Sequence, residues 1–290
     1  LLVLINAKFD LHHLRNLNIN FSNKKIWDCQ LVDFMLSGQT ESYPSMNSMA
    51  EKYGLSQKPD IKTKYWDAGI DTKDIPKDEI VSYLKEHDLT TTTQIYNIQI
   101  ELVRKKSPQF QRLVSLMNQD LLVLEEIEYN GFYFNEELCL QEATILTKQI
   151  EQLRMELHDY HNISEFNTES GDHLSCLLYG GTITIPRREI VGTYKTGERE
   201  GEDILRQLKS RDKAGKRVIE CVLTLAKLEK IVGTYYLGLP RLRQSMHWKP
   251  NMLYGNLNQV TARTGRLSST KPNLQNISGD MKKVFESRFK

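Results

Sequence analysis

Residues 261–276 are the most informative stretch of the chain and read Thr-Ala-Arg-Thr-Gly-Arg-Leu-Ser-Ser-Thr-Lys-Pro-Asn-Leu-Gln-Asn. The segment holds three basic side chains, three carboxamides and five hydroxyls, so it cannot form a hydrophobic core. Arginine bonds phosphates or groove acceptors, whereas Asn and Gln both donate and accept hydrogen bonds. Because the DNA minor groove presents purine N3 and pyrimidine O2 at every correct pair, such donors predict duplex binding without a choice of sequence. A polar surface loop is the alternative that these residues leave open.

Charge is divided unevenly along the sequence. The whole chain carries +2, yet residues 187–290 hold 22 Lys and Arg against 10 Asp and Glu, a balance of +12. The remaining residues, 1–186, therefore carry −10. A basic half joined to an acidic half indicates a polyanion such as nucleic acid as the partner of the basic half.

Composition excludes several classes of protein. With 39% hydrophobic residues the chain can build real cores, and no apolar run reaches the ~18–20 residues of a membrane helix. The four cysteines are far apart without a CxxC pair, which favours free thiols in a reducing compartment over a zinc module. The opening Leu-Leu-Val-Leu-Ile has no basic region before it, so it is not a signal peptide. We expect an internal fragment of a longer protein.

Hydrophobic spacing predicts the secondary structure of the first hundred residues. The apolar run 1–5 predicts a buried strand, and the spacing within 8–17 predicts a helix, the start of an α/β unit. A short helix is expected near 46–53. A longer helix is expected over 79–103, with Asp78 as its N-cap.

The next segments are predicted to be mainly helical. Pro108 opens a helix that ends at Gly131, and heptad spacing follows at Cys139, Ala143, Leu146, Ile150, Leu153 and Leu157. Three heptads favour a helix packed on an antiparallel neighbour in the same chain, so no oligomer is expected. A mobile basic segment is predicted over 186–217, a helix over 218–235, and an extended segment with a loop from Met252.

The segment 264–276 resembles the T-x-x-GRLSS-x-x-PNLQN signature of family A DNA polymerases, the class of bacterial DNA polymerase I and related phage enzymes. Three further stretches are similar to elements of the same family. Residues 125–131 resemble the LxxME-x-x-G start of the thumb, 166–170 an FN-x-x-S element with His173 where Gln is usual, and 228–235 the end of the long thumb helix.

This resemblance implies a set of DNA-binding residues. Arg266 is expected to contact the minor groove at the primer terminus, and Lys230 to lie near the DNA backbone. The other expected DNA-binding residues are Arg263, Thr264, Asn273, Gln275 and Asn276. The implied partners are primer–template DNA and deoxynucleotides in the cytoplasm of a bacterial or phage-infected cell.

The N-terminal half resembles a proofreading 3′–5′ exonuclease. Asn6–Asp10 is similar to its second motif, N-x-x-F/Y-D, and Tyr83 with Asp88 to its third, Y-x-x-x-D, with one residue more. On an α-helix a spacing of five rotates two side chains apart by about 140° beyond a full turn. The resemblance makes Asp10, Asp88 and Tyr83 catalytic residues, with Asp10 and Asp88 as metal ligands and Tyr83 as the residue that orients water.

The implied chemistry uses two Mg²⁺ ions about 3.5–4 Å apart, held by carboxylates. By the same resemblance, an Asp-x-Glu motif belongs upstream of Leu1, and the palm carboxylates of nucleotidyl transfer belong beyond Lys290. We therefore expect incomplete metal sites and an inactive isolated chain.

The predicted fold class is α/β, a truncated RNase H-like exonuclease domain, followed by a mainly α-helical thumb and a short β/loop start of the palm. The expected domains are 1–106, 107–250 and 251–290. Two alternatives are a stand-alone 3′–5′ exonuclease with a helical accessory domain and a non-catalytic helical DNA-binding or interaction module. Neither alternative requires the segment 261–276.

Overall fold

The computed structural model describes residues 1–57, 59–161, 170, 182–184, 189–191, 213–277 and 279–287. Contacts between residues divide the chain into two compact units. The first unit combines Leu1–Phe132 with Tyr254–Ile277, and the second combines Tyr133–Leu253 with Ser278–Lys290. This division differs from the predicted boundaries after residues 106 and 250, which follow motifs rather than packing. The functional boundaries stay a prediction.

The first unit opens with the strand and the helix that the apolar run and the helical spacing predict, but the strand is half-buried and not buried as expected. Strand β1 (Leu2–Leu4) pairs in parallel with β2 (Ile26–Asp28), and helix α1 (Ala7–Asn16) connects them. Buried Asp28 holds this element together, because its carboxylate accepts the Ala7 N–H at 2.8 Å and caps the next helix. Beyond this pair, the RNase H-like architecture stays a prediction.

Helices form most of the rest of the first unit. They are α2 (Cys29–Leu36), α3 (Met46–Lys52), α4 (Lys77–Ser82), a π-helical turn (Tyr83–Leu89), α5 (Thr90–Arg104) and α6 (Pro108–Asn130). The predicted helix over 79–103 is thus interrupted by the π-helical turn. Asp78 lies in the first turn of α4 and is not the N-cap, because Pro76 precedes the helix and fixes its start. Helix α6 begins at Pro108 and ends before Gly131, as predicted, and the Ser107 side chain caps its first turn.

The C-terminal segment of the first unit adds an antiparallel hairpin, β7 (Asn256–Asn258) and β8 (Ser268–Thr270), followed by a short 3₁₀ turn, Leu274–Asn276. Val260, just after β7, is buried in the same hydrophobic cluster as Leu11, Leu31 and Leu121. The hairpin therefore shares the core of the N-terminal helices, although more than 120 residues separate them in sequence.

The second unit is built on two long helices. Its elements are β3 (Phe132–Tyr133, at the junction), α7 (Glu136–His161), β4 (Thr182–Thr184), β5 (Glu189–Val191), α8 (Lys213–Ile231), a π-helical turn (Val232–Tyr236), α9 (Gly238–Ser245), β6 (Met252–Leu253) and a 3₁₀ turn (Gly279–Val284). Strands β4 and β5 pair antiparallel. The predicted mobile segment 186–217 lies mostly outside the described residues. Of its described residues, 189–191 form β5 and 213–217 belong to α8, so neither part is the irregular segment that was expected.

The heptad seam of α7 faces α8, so the predicted intrachain neighbour is confirmed. Cys139, Ala143, Ile150 and Leu157 are buried along this seam. Arg154 pairs with Glu229 at 2.8 Å and Glu156 with Arg217 at 2.7 Å, and this reversed order makes the two helices antiparallel.

The described cysteines form no disulfide, and the described helices include no candidate membrane span. Cys29, Cys139 and Cys221 are free and buried, and burial raises the pKa of the Cys139 thiol to about 12 and that of Cys221 to about 11. Within the described ranges, no helix combines the length and the apolar character needed to cross a bilayer.

Candidate nucleic-acid interface

The loop between β7 and β8 presents the predicted basic residues. A turn forms at its centre, where the Gly265 N–H bonds the Ala262 carbonyl at 2.9 Å. Gly265 has a φ of +72°, a conformation that glycine adopts without the strain of a Cβ. The turn spans residues 262–265, so Arg263 lies within it and Arg266 follows it directly.

Arg263, Thr264 and Arg266 are all exposed on this loop. Within the part of the chain that the structure describes, neither arginine side chain makes a hydrogen bond or an ion pair with another residue. Two exposed guanidinium groups without partners among the described residues can donate to an external anion or to groove acceptors. Lys230, the predicted backbone contact, is also exposed, on α8 in the second unit.

The residues after β8 hold the loop in shape. Asn273 caps the 3₁₀ turn by accepting the Gln275 N–H at 3.2 Å, and the Gln275 side-chain amide donates to the Leu267 carbonyl at 2.5 Å. Ser269 accepts the Leu274 N–H at 2.9 Å. Asn273, Gln275 and Asn276 are exposed as well, so the predicted carboxamides lie at the surface while two of them brace the backbone.

The stem of the loop is anchored to the N-terminal part of the first unit. Gln259 is buried and its amide donates to the Met117 carbonyl at 3.1 Å. Thr261 donates to the Tyr43 hydroxyl at 2.9 Å, and the Ser42 hydroxyl donates to the Thr261 carbonyl at 3.1 Å. Anchoring therefore ends just before Arg263.

Sequence reasoning missed two further residues at this stem, Lys8 and Glu128. Their side chains form a salt bridge and bond the main chain of Leu257 in β7. Glu128 is the Glu of the E-x-x-G pattern within 125–131, so the motif marked its position without indicating its contact.

The second predicted site contains the carboxylates of Asp10, on α1, and Asp88, in the π-helical turn. Burial raises the pKa of Asp10 above its usual range, the nearby His13 opposes this effect, and the charge of Asp88 adds to it. The charge of Asp88 therefore makes ionisation of Asp10 less favourable. Such a pair gains from a bound cation, because a positive charge offsets the repulsion.

A complete metal site does not form from the residues that the structure describes. Among them, no group of three His, Cys, Asp or Glu side chains is arranged to hold a metal ion. Two divalent ions need more ligands than Asp10 and Asp88 supply. The described residues therefore do not fit a two-metal centre.

The π-helical turn corrects the expectation about Tyr83 and Asp88. The predicted divergence of their side chains assumes α-helical geometry, but both residues lie within the turn Tyr83–Leu89. Because π-helical hydrogen bonds join residues five apart, the turn moves positions five apart towards a common face. The α-helical geometry assumed for these two residues therefore does not apply, while their catalytic roles stay predictions. Tyr83 itself packs on the buried cluster of Ile61, Tyr65 and Ile75.

Two parts of the resemblance lie outside the described residues. The FN-x-x-S element is described only at Ser170, and His173 is not described. The basic residues between 192 and 212 are likewise outside the described ranges.

Comparison with known proteins relates most of the chain to DNA polymerases. A family model for DNA polymerase family A matches residues 136–289. DNA polymerase I of Bacillus subtilis (strain 168) is 25% identical over 238 residues, which cover 81% of this chain and 25% of that protein. DNA polymerase I of Chloroflexus aurantiacus is 25% identical over 276 residues, covering 94% and 28%.

A shorter match is more similar in sequence. The thermostable DNA polymerase I of Thermus filiformis is 32% identical over 156 residues, covering 53% of this chain and 17% of that protein. The chain therefore spans between 17% and 28% of the length of these three relatives.

A solved structure shares the fold. The POL domain of Pol1 from M. smegmatis, in complex with DNA primer–template and dNTP, matches with a TM-score of 0.70 and 19% identity, covering 97% of this chain and 44% of that chain. At this level of identity the match concerns the fold.

Proposed function

Because this chain belongs to DNA polymerase family A, we propose that its loop at 259–267 and the turn that follows β8 hold primer–template DNA for a DNA-directed DNA polymerase. The observation that carries the proposal is the pair of exposed arginines, Arg263 and Arg266, on a loop whose stem is anchored in the core. An anchored loop keeps its donors in place before DNA arrives, which lowers the entropic cost of binding.

The proposed contact is with the minor groove. Arg266 donates to purine N3 or pyrimidine O2 at the primer terminus, while Arg263 and Thr264 bond the adjacent sugar–phosphate backbone. These acceptors occupy the same places in every Watson–Crick pair, so the loop recognises correct pairing without reading sequence. The proposal is supported by the exposure of all three side chains.

The carboxamides have a double role in this proposal. Asn273 and Gln275 brace the loop through their bonds to main-chain groups, and their remaining donors and acceptors face the duplex with those of Asn276. Lys230, exposed on α8, contributes a phosphate contact of its own. The excess of +12 over residues 187–290 supplies the wider electrostatic attraction.

The reaction we propose for the whole polymerase is template-directed nucleotidyl transfer from deoxynucleotides with Mg²⁺. When bound, Mg²⁺ would stabilise the charge that develops on the transferred phosphoryl group. The contribution of the described residues is to bind and orient the primer–template. We expect the isolated chain to incorporate no deoxynucleotide above background.

A proofreading 3′–5′ exonuclease is a second candidate activity, favoured by the similarity of Asn6–Asp10 and of Tyr83 with Asp88 to its motifs. These two carboxylates are the residues of this chain that would hold Mg²⁺. Because the described residues do not complete the ligand set, we expect weak or no degradation of single-stranded DNA. Strong Mg²⁺-dependent degradation that Asp10→Ala abolishes would contradict this expectation.

Binding of labelled primer–template to the 290-residue chain, measured over a range of salt concentrations, tests the main proposal. We expect binding that weakens with salt and does not depend on sequence. An affinity for duplex DNA that is undetectable at low salt would overturn it and favour a non-catalytic interaction module.

A further inference from the structure

Two side chains from distant parts of the first unit hold the main chain of Leu257. The Glu128 carboxylate accepts the Leu257 N–H, and the Lys8 ammonium donates to the Leu257 carbonyl. Lys8 and Glu128 also bond each other, which closes a ring around this residue of β7. Main-chain groups on the outer edge of a strand otherwise need a neighbouring strand or water. The ion pair thus takes the place of a third strand beside the hairpin.

Both side chains of this ion pair are largely buried. The Glu128 side chain is 4% exposed and that of Lys8 is 15% exposed. A buried carboxylate is stable only when its hydrogen bonds are satisfied, so loss of either partner leaves an uncompensated charge. The directed hydrogen bonds of the pair therefore restrict the position of β7 more than apolar contacts would.

The hairpin transmits this position to the DNA-facing side. Leu257 lies opposite Ser269 in the antiparallel register, and the loop with Arg263 and Arg266 connects the two strands. The hydroxyl of Ser269 also accepts the Leu274 N–H at 2.9 Å, which ties the following turn to β8. A shift of β7 would therefore move both sides of the loop.

We propose that Glu128 and Lys8 are positioning residues that hold the β7–β8 hairpin so that Arg266 meets the minor groove at a primer terminus. The inference deepens the proposed function and rests on it. It gives a role to Glu128 of the E-x-x-G pattern at the end of α6, whose carboxylate contacts the hairpin.

Glu125 offers a matched control in the same helix. It is fully buried, like Glu128 it is paired with a basic residue of α1, and it bonds Arg15 at 3.0 and 2.6 Å. The His12 imidazole lies 3.7 Å from Glu125 and 3.8 Å from Glu128, so both carboxylates share this neighbour. The hydrogen bonds of the Glu125 carboxylate go to Arg15 and not to β7.

The first measurement compares Kd for a recessed primer–template with Kd for a blunt duplex, using the 290-residue chain. Glu128→Gln should weaken primer–template binding by about five- to tenfold and blunt-duplex binding by less than about twofold. Glu125→Gln should lower thermal stability but keep the ratio of the two Kd values. Combined with Arg266→Ala, Glu128→Gln should add no further loss, because a misplaced arginine and an absent arginine are equivalent.

The second measurement is hydrogen exchange of the peptide that spans residues 256–270. Exchange should be faster in Glu128→Gln and Lys8→Met, unchanged in Glu125→Gln, and close to the original in Lys8→Arg, which keeps the donor and the charge. If Glu128→Gln fails to fold, as judged by circular dichroism, both measurements are made with Lys8→Met and Lys8→Arg instead.

The outcomes separate this inference from the proposed function. If Arg266→Ala weakens primer–template binding but Glu128→Gln and Lys8→Met do not, the positioning role is wrong and the function stands. If the original chain binds no duplex, the function is wrong, and the exchange measurement alone decides whether the pair holds the hairpin. Additive losses in the double variant, or equal effects of Glu125→Gln and Glu128→Gln, would reduce the pair to a general stabilising contact and overturn the proposal.

Discussion

The proposed DNA-binding loop at 259–267 and the acidic pair Asp10–Asp88 lie in the same unit but differ in how complete their ligand-binding groups are. The loop has its donors exposed on one continuous segment, and buried residues anchor its stem. The acidic pair consists of two partly buried carboxylates from separate segments, which repel each other. The loop can bind a ligand with the groups it has, whereas the pair needs further ligands.

This difference follows from the chemistry of the two ligands. A DNA duplex is a large polyanion, so two arginines on a fixed loop already make a useful contact. Two divalent ions require several oxygen ligands at defined distances, and such ligands come from segments that are far apart in sequence. A partial groove-binding site therefore retains part of its affinity, while a partial metal site loses most of its chemistry.

The largest effect is expected from Arg266→Ala. Loss of a directed groove contact should weaken primer–template binding by about 1–3 kcal/mol, or roughly 5- to 150-fold, at fixed salt. The measurement is Kd by fluorescence anisotropy, with recessed and blunt duplexes side by side.

The control for Arg266→Ala is Arg112→Ala, which removes an exposed arginine from α6 in the same unit. It should change either Kd by less than about twofold. Equal losses in the two variants would mean that Arg266 acts only through its charge, and the contrast between a directed loop and a general basic surface would disappear.

The turn at Gly265 tests whether loop shape matters as much as loop charge. At φ +72°, alanine is strained by about 1 kcal/mol, and its Cβ would stand 3.4 Å from the Gln39 amide nitrogen. We expect Gly265→Ala to weaken primer–template binding by about two- to fivefold, measured in the same anisotropy assay.

Gly233→Ala is the matched control, because no atom lies within 4 Å of the added Cβ and the residue is in a helical turn. It should leave binding unchanged and raise the melting temperature slightly. If Gly265→Ala binds as tightly as the original chain, the loop adapts to DNA on binding and is not preformed.

Much of the fold, and the position of the basic loop, could be predicted from local sequence patterns. The helices at 7–16 and 108–130 and the intrachain seam at 139–157 follow from apolar spacing, and the basic loop follows from its composition. Periodicity could not predict the π-helical turn Tyr83–Leu89, since one extra residue in a helix is visible only in the hydrogen bonds that it shifts.

Long-range contacts could not be predicted from the sequence either. The ring of Lys8, Glu128 and Leu257 joins three segments, and no spacing rule connects them. For the same reason Val260 was not predicted to share a core with Leu11. Predicted domain boundaries followed motifs, whereas packing places α6 and the hairpin in one unit.

A lysine variant tests the electrostatic background against which the loop acts. Lys216 is exposed on α8, and Lys216→Ala should flatten the slope of log K against log salt by about 0.9 if it neutralises one phosphate. Recessed and blunt duplexes should be affected alike, by about two- to threefold at moderate salt. A selective loss for the recessed duplex would assign Lys216 to the primer terminus.

The smallest effect concerns the acidic pair and its dependence on pH. The pKa of Asp10 is raised in the folded protein above the value of 3.8, chiefly by burial. Its charged form is therefore less favourable in the folded than in the unfolded chain, and stability is lost as pH rises from 3.8 through the raised pKa. Asp10→Asn does not titrate, so its stability relative to the original chain should rise over this window and stay constant above it. The difference should be about 0.5 kcal/mol or less, measured by urea unfolding at several pH values.

The sign of that dependence reverses at Asp60, which provides the comparison. Hydrogen bonds from Thr63 lower the pKa of Asp60 below 3.8, so its carboxylate contributes stability above pH 3.8 that is lost as pH falls through the lowered pKa. Asp60→Asn should thus lose stability relative to the original chain as the solution is brought from acid to neutral pH, while Asp10→Asn gains. A parallel pH profile for the two variants would show that the pKa of Asp10 is not raised in the folded protein. The premise that burial and the charge of Asp88 make ionisation of Asp10 unfavourable would then be wrong, while the case for the loop at 259–267 would be unaffected.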